Sequence, residues 1–566
     1  MNWEIAKGLT YRVNFGPDYT VRRSGRFTGS QTNDRRGGDA TGSVDDRFQF
    51  NYTLENILNY SKTFNSVHNL NFTALQSFQQ DRFEQSTISV LGIPAPSQLY
   101  HRLGDASQIT GANTNLVEWA LLSYMGRVNY DYKGKFLLTA SVRADGSSRF
   151  GENNKFGYFP SVAVGWNMHQ ESFLKNSSKV DLLKLRVSYG SIGNQAITPY
   201  QTQALLGRTS YAWDNTAAFG YRPNTIGNPD LRWETTTQTD VGIDFGLFDN
   251  RISGEIDYYY KKTTGLLLNV NIPSTSGFTT QTKNVGTLEN KGFEFVLNTQ
   301  NLVGKFKWST SFNIAFNKGR VVNILGQVIE GGISSMNRVM EGQPVGVFYT
   351  VEWAGVNPAN GDAQFYKNTV GSNGELDKTK LAPGQYNQAQ RIVAGDPNPD
   401  YIYGITNNFS YKGFDLSVFL NGVAGNQINI YGMGRYSSAS FRFEDNQTVD
   451  QLRAWTKPGE VTDIPQARFF FNNGAQVSSR YIVDGSFLRV RTITLGYNLP
   501  TQFLRKYKVD RIRLYASALN LFTFTKYPYW DPEVNADSFD SNIAKGNDFY
   551  TPPQPKTIMF GINVGF

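Results

Sequence analysis

The sequence predicts an all-β protein: a transmembrane, antiparallel, up-and-down β-barrel with long loops at one end and short turns at the other. Three observations carry that expectation. The chain closes on residues 557–566, TIMFGINVGF, in which Ile558, Phe560, Ile562, Val564 and Phe566 hold every second position, with Thr557, Gly561, Asn563 and Gly565 filling most of the gaps. A period of two is a strand, and lipid is the simplest cover for a greasy edge that no later residue can bury. Second, aromatic residues reach 14% while mean hydropathy is only −0.42. No run of about 18 apolar residues exists, which excludes a helical membrane protein, whereas a barrel conceals its membrane signal because half of each strand faces a wet lumen. Third, short and long connections alternate along the whole chain.

Taken in order, Leu9, Tyr11, Val13 and Phe15 mark a first strand, followed by a polar loop over 16–46. Phe48, Phe50, Tyr52 and Leu54 resume the alternation, residues 61–65 make a short turn, and Leu70, Phe72 and Ala74 lead to a loop over 81–119. Tyr124, Val128, Tyr130 and Tyr132 turn at Lys133 and Gly134, where glycine accepts positive φ, into Phe136, Leu138, Ala140 and Val142. Val162, Val164 and Trp166 and then Leu185, Val187 and Tyr189 follow. Val241, Ile243, Phe245 and Leu247 turn through Asp249 and Asn250 into Ile252, Ile256, Tyr258 and Tyr260. Phe293, Phe295 and Leu297 precede a turn at Gly304 and a strand through Trp308, Phe312 and Phe316. After the longest insertion, 318–401, a strand ending at Tyr411 turns into Phe414, Leu416, Val418 and Leu420, and strands at 493–497, 512–516 and 558–566 complete the set. The expectation is about sixteen strands, an even number as such barrels use.

Short turns fall near 61, 133, 175, 249, 303, 412 and 503, and long loops at 16–46, 81–119, 145–158, 191–235, 263–291, 318–401, 423–484 and 522–556. Sorting of loops by end is the habit of outer-membrane barrels, whose short turns are periplasmic. Tyr130, Tyr132, Trp166, Tyr258, Tyr260 and Trp308 are expected at the headgroup level. Arg143, Arg186, Asp240, Asp244, Glu255, Asp257 and Glu294 take the other face and are expected to line the lumen.

The remaining composition narrows the function. The net charge of +8 is spread over 55 basic and 47 acidic residues with no basic tract, so nucleic acid is not an expected partner. Zero cysteines exclude disulfides and thiolate metal sites. The first residues, MNWEIAKGLTYRVNF, do not read as a signal peptide. His68, His101 and His169 stand on separate elements, and neither a GxSxG elbow nor a phosphate-binding loop is present. Asp240 and Asp244 share a face, but four residues of strand, at roughly 3.4 Å each, set them too far apart for a glycosidase pair. The acids of 360–377 lack the spacing of a calcium loop. Neither enzyme activity, nor a metal site, nor a cofactor is expected.

The longer blocks are specific. RADGSSRFGENNKFGYFPSVAVGWN (143–167), SYGSIGNQ (188–195), NPDLRWETTTQTDVGIDF (228–245), NKGFEF (290–295), GDPNPDYIYG (395–404), YIVDGSFLRVRTITLGYNLP (481–500) and ALNLFTFTKYPYWDPEV (518–534) resemble, in family order, the barrel of SusC/RagA-type TonB-dependent outer-membrane transporters. The resemblance implies a barrel of about 22 strands around an N-terminal plug, importing oligosaccharides or peptides, with energy from TonB and a SusD-like lipoprotein over the mouth. It implies residence in the outer membrane of a Gram-negative bacterium. Against that pattern, residues 1–566 read as the C-terminal portion of such a barrel. Signal peptide, plug and about six strands are missing from the sequence, and TonB would act through the missing N-terminal region. Outer-membrane lipid and the barrel-assembly machinery are further expected partners, the latter through Phe560, Ile562, Val564 and Phe566. Cargo contacts are expected from outer-loop rings, Tyr211, Trp213, Tyr221, Tyr436 and Trp455, since sugars stack on aromatics. A passive pore of about sixteen strands and a non-membrane sugar-binding β-protein remain as alternatives.

Overall fold

The computed structural model describes residues 1–439, 446–468, 471–500, 509–535 and 543–565. Phe566 and the turn expected near 503 lie outside the described residues. The described chain carries one large antiparallel sheet of seventeen strands. Sixteen are the expected ones, and the additional strand is Asn2–Ala6, which pairs Trp3 with Tyr11 ahead of the first expected strand. Each large-sheet strand pairs with those nearest to it in the sequence, from Leu9–Thr28 with Thr41–Phe64 through to Arg511–Thr525 with Thr557–Gly565. That order is the up-and-down connectivity of a barrel wall.

The chain forms two compact units. The first comprises Met1–Trp166, Val187–Gln238 and Thr263–Val285. Its strands correct the expected lengths. Leu9–Thr28 is 20 residues long, Thr41–Phe64 and His68–Leu91 are 24 each, and Gln108–Tyr132 is 25. A strand of 24 residues runs roughly 80 Å, against an apolar band of about 25 Å, so these hairpins continue far past any lipid. Most of the expected loops 16–46 and 81–119 are therefore strand. The ladder goes on through these stretches, and at its far end Ala40, Val90 and Ile93 form a small buried cluster. The turn expected at 61–65 sits instead at 65–67, where Asn65 and Ser66 take φ of 49° and 59°.

The second unit comprises Asn167–Arg186, Thr239–Lys262 and Gly286–Phe566. Here the connections read as long loops are largely folded. One four-stranded sheet joins Ile329–Gly331, Asn337–Val339, Val347–Val351 and Arg391–Gly395, and a three-stranded sheet joins Trp353–Val356, Ala363–Tyr366 and Lys380–Leu381. Another aligns Ile482–Asp484 and Asn547–Asp548 on either side of Gln427–Ile430. Many of the best-buried apolar side chains of the unit lie in or beside these pieces, including Met336, Phe348, Phe365, Ile428 and Tyr481. A chain of fully buried amides stitches them: Asn429 donates to Asn547, Asn547 donates to Asn337 (both 2.8 Å), and Asn337 donates to the carbonyls of Gly346 and Lys545. We refer to these packed pieces as the cap.

Within the large sheet the apolar side chains are exposed rather than buried. Phe560 is 83% and Ile558 65% exposed, and Ile562, Val564, Val142, Val164, Tyr189, Val241, Tyr258, Phe293, Leu495 and Leu514 all stand open on the face that alternation assigns to lipid. A water-soluble protein does not display so extended an apolar surface. No helix of the described residues is long and apolar enough to cross a membrane.

Candidate functional site

The polar face of the wall and the structures at its long-loop end carry the charged and aromatic side chains singled out in the sequence. On the polar face, Arg143 donates through Nε to Asp145 at 2.7 Å and through Nη2 to Ser123 at 3.0 Å. Around it the first unit has a groove of about 590 Å³ lined by small hydroxyl side chains, among them Ser141 and Ser161, whose hydroxyls meet at 2.7 Å. In the second unit Arg186 bridges Asp244 at 2.7 Å and Asp257 at 3.0 Å, with Lys184 at 3.7 Å from Asp244. Gly242 makes this possible, since a Cβ there would fall 2.1 Å from Asp257 Oδ1 and 2.9 Å from Arg186 Nη2. Asp240 shares the strand face with Asp244 but does not contact the arginine closely enough to pair. Glu255 and Glu294 are exposed and make no ion pair among the described residues. The expected lumen residues thus separate into the Arg143 pair, the Arg186 network and three unpaired acids.

Near the short turns, several aromatic rings meet across neighbouring strands. His68 contributes its ring beside Tyr132 at 5.0 Å and its Nδ1 to the Tyr130 hydroxyl at 2.7 Å. Phe136 with Trp166, Trp308 with Phe409, and Phe414 with Tyr497 continue the series. His101 packs on neighbouring Tyr100, and His169 meets the Leu183 carbonyl, so the three histidines share no site.

At the long-loop end of the first unit, Leu206–Trp213 and Thr216–Pro223 form a hairpin. Tyr211 and Trp213 lie on one face with ring centroids 6.3 Å apart. Register places Tyr221 opposite Arg208 on the other face, where Arg208 covers the ring of Phe219 at 3.9 Å. Trp213 and Tyr221 are 72% and 76% exposed. Of the two remaining expected rings, Trp455 is corrected: it is only 7% exposed, packs over Gly361 and donates Nε1–H to the Pro358 carbonyl at 3.0 Å. Tyr436 is half-buried between Tyr431 and Phe549, on the π-helical segment Tyr431–Ser437. Both lie inside the cap because folded loops have a core of their own, which an aromatic in an apparent loop does not announce.

The longer sequence blocks supply architectural contacts. Leu231 of NPDLRW is fully buried with Phe150 and Ile197. Asn228 donates to the Thr282 carbonyl, and Asn284 exchanges bonds with Arg232, so the hairpin Leu267–Asn271/Thr280–Asn284 is clamped to that block. The acids of 360–377 are engaged locally. Asp362 pairs with Arg468 at 2.6 Å, and Asp377, held well below the usual carboxylate range chiefly by the hydroxyl and amide of Thr379, pairs with Lys367. In the cap, burial drives the Tyr527 and Tyr481 hydroxyls upward, and it pushes Tyr529 up to about 12 with Asp450 adding to the effect.

Residues 2–521 match the family described as TonB dependent receptor-like, beta-barrel. The chain belongs to that family, in its SusC/RagA branch. It is 34% identical over 581 residues to TonB-dependent receptor P3 of Formosa agariphila, covering 100% of this chain and 57% of that relative. It is 31% identical over 469 residues to TonB-dependent receptor SusC of Bacteroides thetaiotaomicron, covering 79% of this chain and 44% of SusC. The solved structure of the RagAB peptide transporter matches with a TM-score of 0.85 at 25% identity, over 100% of this chain and 61% of that one. The chain thus spans little more than half the length of the curated relatives it matches. As a member of this family it is a β-barrel of the outer membrane of a Gram-negative bacterium.

Proposed function

We propose that residues 1–566 are the barrel portion of a SusC-like importer that carries oligosaccharides or peptides across the outer membrane. In this reading a SusD-like surface lipoprotein covers the outer mouth, and TonB supplies energy through a plug of the kind such transporters possess. The observation that carries the proposal is the family match over nearly the whole chain, joined to the likeness to SusC and to the RagAB peptide transporter. Tyr211 and Trp213 on one hairpin face, and Tyr221 on the other, are the proposed cargo-facing rings, with Arg143, Arg186 and their acids lining the path. Phe560, Ile562 and Val564 present the terminal strand to the barrel-assembly machinery.

Deletion of the intact gene tests the reading. Growth on one class of large oligosaccharide or peptide should be lost and restored by the gene in trans. Unchanged uptake of every such nutrient would remove the proposal. A passive pore is the second reading, supported by the hydrated, charge-lined polar face. It would show as steady conductance when the full protein is placed in a planar bilayer.

A further inference from the structure

The segment 526–535 begins the connection between the last two strands of the wall, and it touches both the cap and the wall. Tyr527 is buried beside Ile428, Ile430 and Tyr481, and its hydroxyl donates to Asp548 at 2.5 Å. Two residues on, the Tyr529 hydroxyl donates to Ser438 at 3.0 Å. These two rings are therefore part of the cap. The acids that follow reach the wall instead. Asp531 pairs with Arg489, and Glu533 receives Arg491 through both terminal nitrogens, at 2.9 Å and 3.0 Å, and Arg489 at 3.1 Å. Asp531 also accepts the amide N–H of Glu533 at 2.9 Å and of Gln554 at 3.0 Å.

The wall strand Phe487–Asn498 is shaped for this grip. Its ladder slips on both sides at one place: Val490 and Thr492 pair with Leu420 and Phe419 on one neighbour and with Phe522 and Leu519 on the other, leaving Arg491 without a ladder partner. A bulge of this kind re-aims a side chain, and here it lets two arginines two residues apart reach a single short segment. Arg489 is only 1% exposed. A buried ion pair of this sort has no half-open state, because removing one partner strands an unpaired charge away from water.

We infer that residues 526–535 are an ionic strap that fastens the folded cap to the wall, so that the cap opens as one body when Arg489 and Arg491 release Asp531 and Glu533, while the strands of the wall stay paired. The inference is independent of what the barrel carries.

The experiment is hydrogen exchange on the full-length protein in detergent, comparing wild type with Arg491→Met and Glu533→Gln. Local opening is read directly by amide protection. Protection across Gln427–Ile430, Ile482–Asp484 and Asn547–Asp548 should fall together, by about tenfold or more, while amides of the wall strand Tyr401–Tyr411 keep theirs. Because the two substitutions share the Arg491–Glu533 contact, the double variant should lose less than the sum of the single losses. Unchanged protection in the three segments, loss confined to one of them, loss shared equally by Tyr401–Tyr411, or additive losses in the double variant would each overturn the strap. Arg489→Met, which strips the most buried partner, is a harsher form of the same test. Should that variant fail to assemble, the half-exposed Arg491 and Glu533 still decide the matter.

Discussion

At the scale of single residues, Gly242 shows how one missing side chain organises several charges. Arg186 reaches Asp244 and Asp257 through the space where a Cβ would stand. Gly242→Ala should displace the guanidinium and cost about 1–3 kcal/mol of stability, read as a lower temperature for loss of the heat-modifiable folded band on gels. Asp240→Asn, on the same face but outside the network, should leave that temperature within error. Tyr529 makes a prediction with a definite sign. Its neutral hydroxyl is the form the folded cap favours, and its value is raised to about 12, whereas an unfolded tyrosine ionises near 10. Its stabilising contribution is complete below about pH 10 and is lost as pH climbs through 12. Cap protection measured against pH should therefore decline over that alkaline range, and Tyr529→Phe should weaken the cap at neutral pH yet flatten the decline.

At the scale of elements, the hairpin 206–223 and the clamp at 228–233 behave oppositely. The rings of Tyr211 and Trp213 rest on nothing that supports the fold, so Trp213→Ala should leave assembly unchanged. If the hairpin meets cargo, affinity should fall by about tenfold, corresponding to roughly 1.4 kcal/mol, when titrated with the nutrient identified by the deletion. Tyr221→Ala, on the other face, separates a cargo contact from a partner contact. Leu231 has no exposure at all, and Leu231→Ala should cost about 2–5 kcal/mol and free the hairpin Leu267–Asn271/Thr280–Asn284, detectable as new proteolytic cleavage between 265 and 286. The difference was partly legible in the sequence. Turn chemistry announced both hairpin regions as loops, but the choice between free ring and packed ring depended on partners from distant segments, as Trp455 on Pro358 and Gly361 demonstrates.

For the whole molecule, the exposed apolar face is what makes it a membrane protein. An arginine at Ile562 on that face should cost about 2–4 kcal/mol if it falls at the bilayer midplane and much less near an interface. Folding into lipid vesicles, monitored against denaturant, measures it. The same substitution at Asn563, on the polar face, should be tolerated. The long hairpins of the first unit stand beyond that face, and their upper halves carry charged pairs such as Arg82 with Glu84 and Glu118. These residues belong to water, and their exchange for alanine should leave stability within experimental error, because exposed ion pairs are screened by solvent.

The sequence by itself determined sixteen of the seventeen strands described in the large sheet, and the family, because a period of two leaves its mark on each of those strands. It did not show Asn2–Ala6, nor how far the ladder of Leu9–Thr28, Thr41–Phe64, His68–Leu91 and Gln108–Tyr132 continues, since there the regular alternation no longer marks the strand. The tertiary structure alone decided that the longest insertions fold into a cap with a core, that Trp455 and Tyr436 belong to it, and that Arg489 is buried against Asp531. Those outcomes rest on contacts between residues up to two hundred positions apart, such as Asn547 with Asn337, and local periodicity carries no record of them.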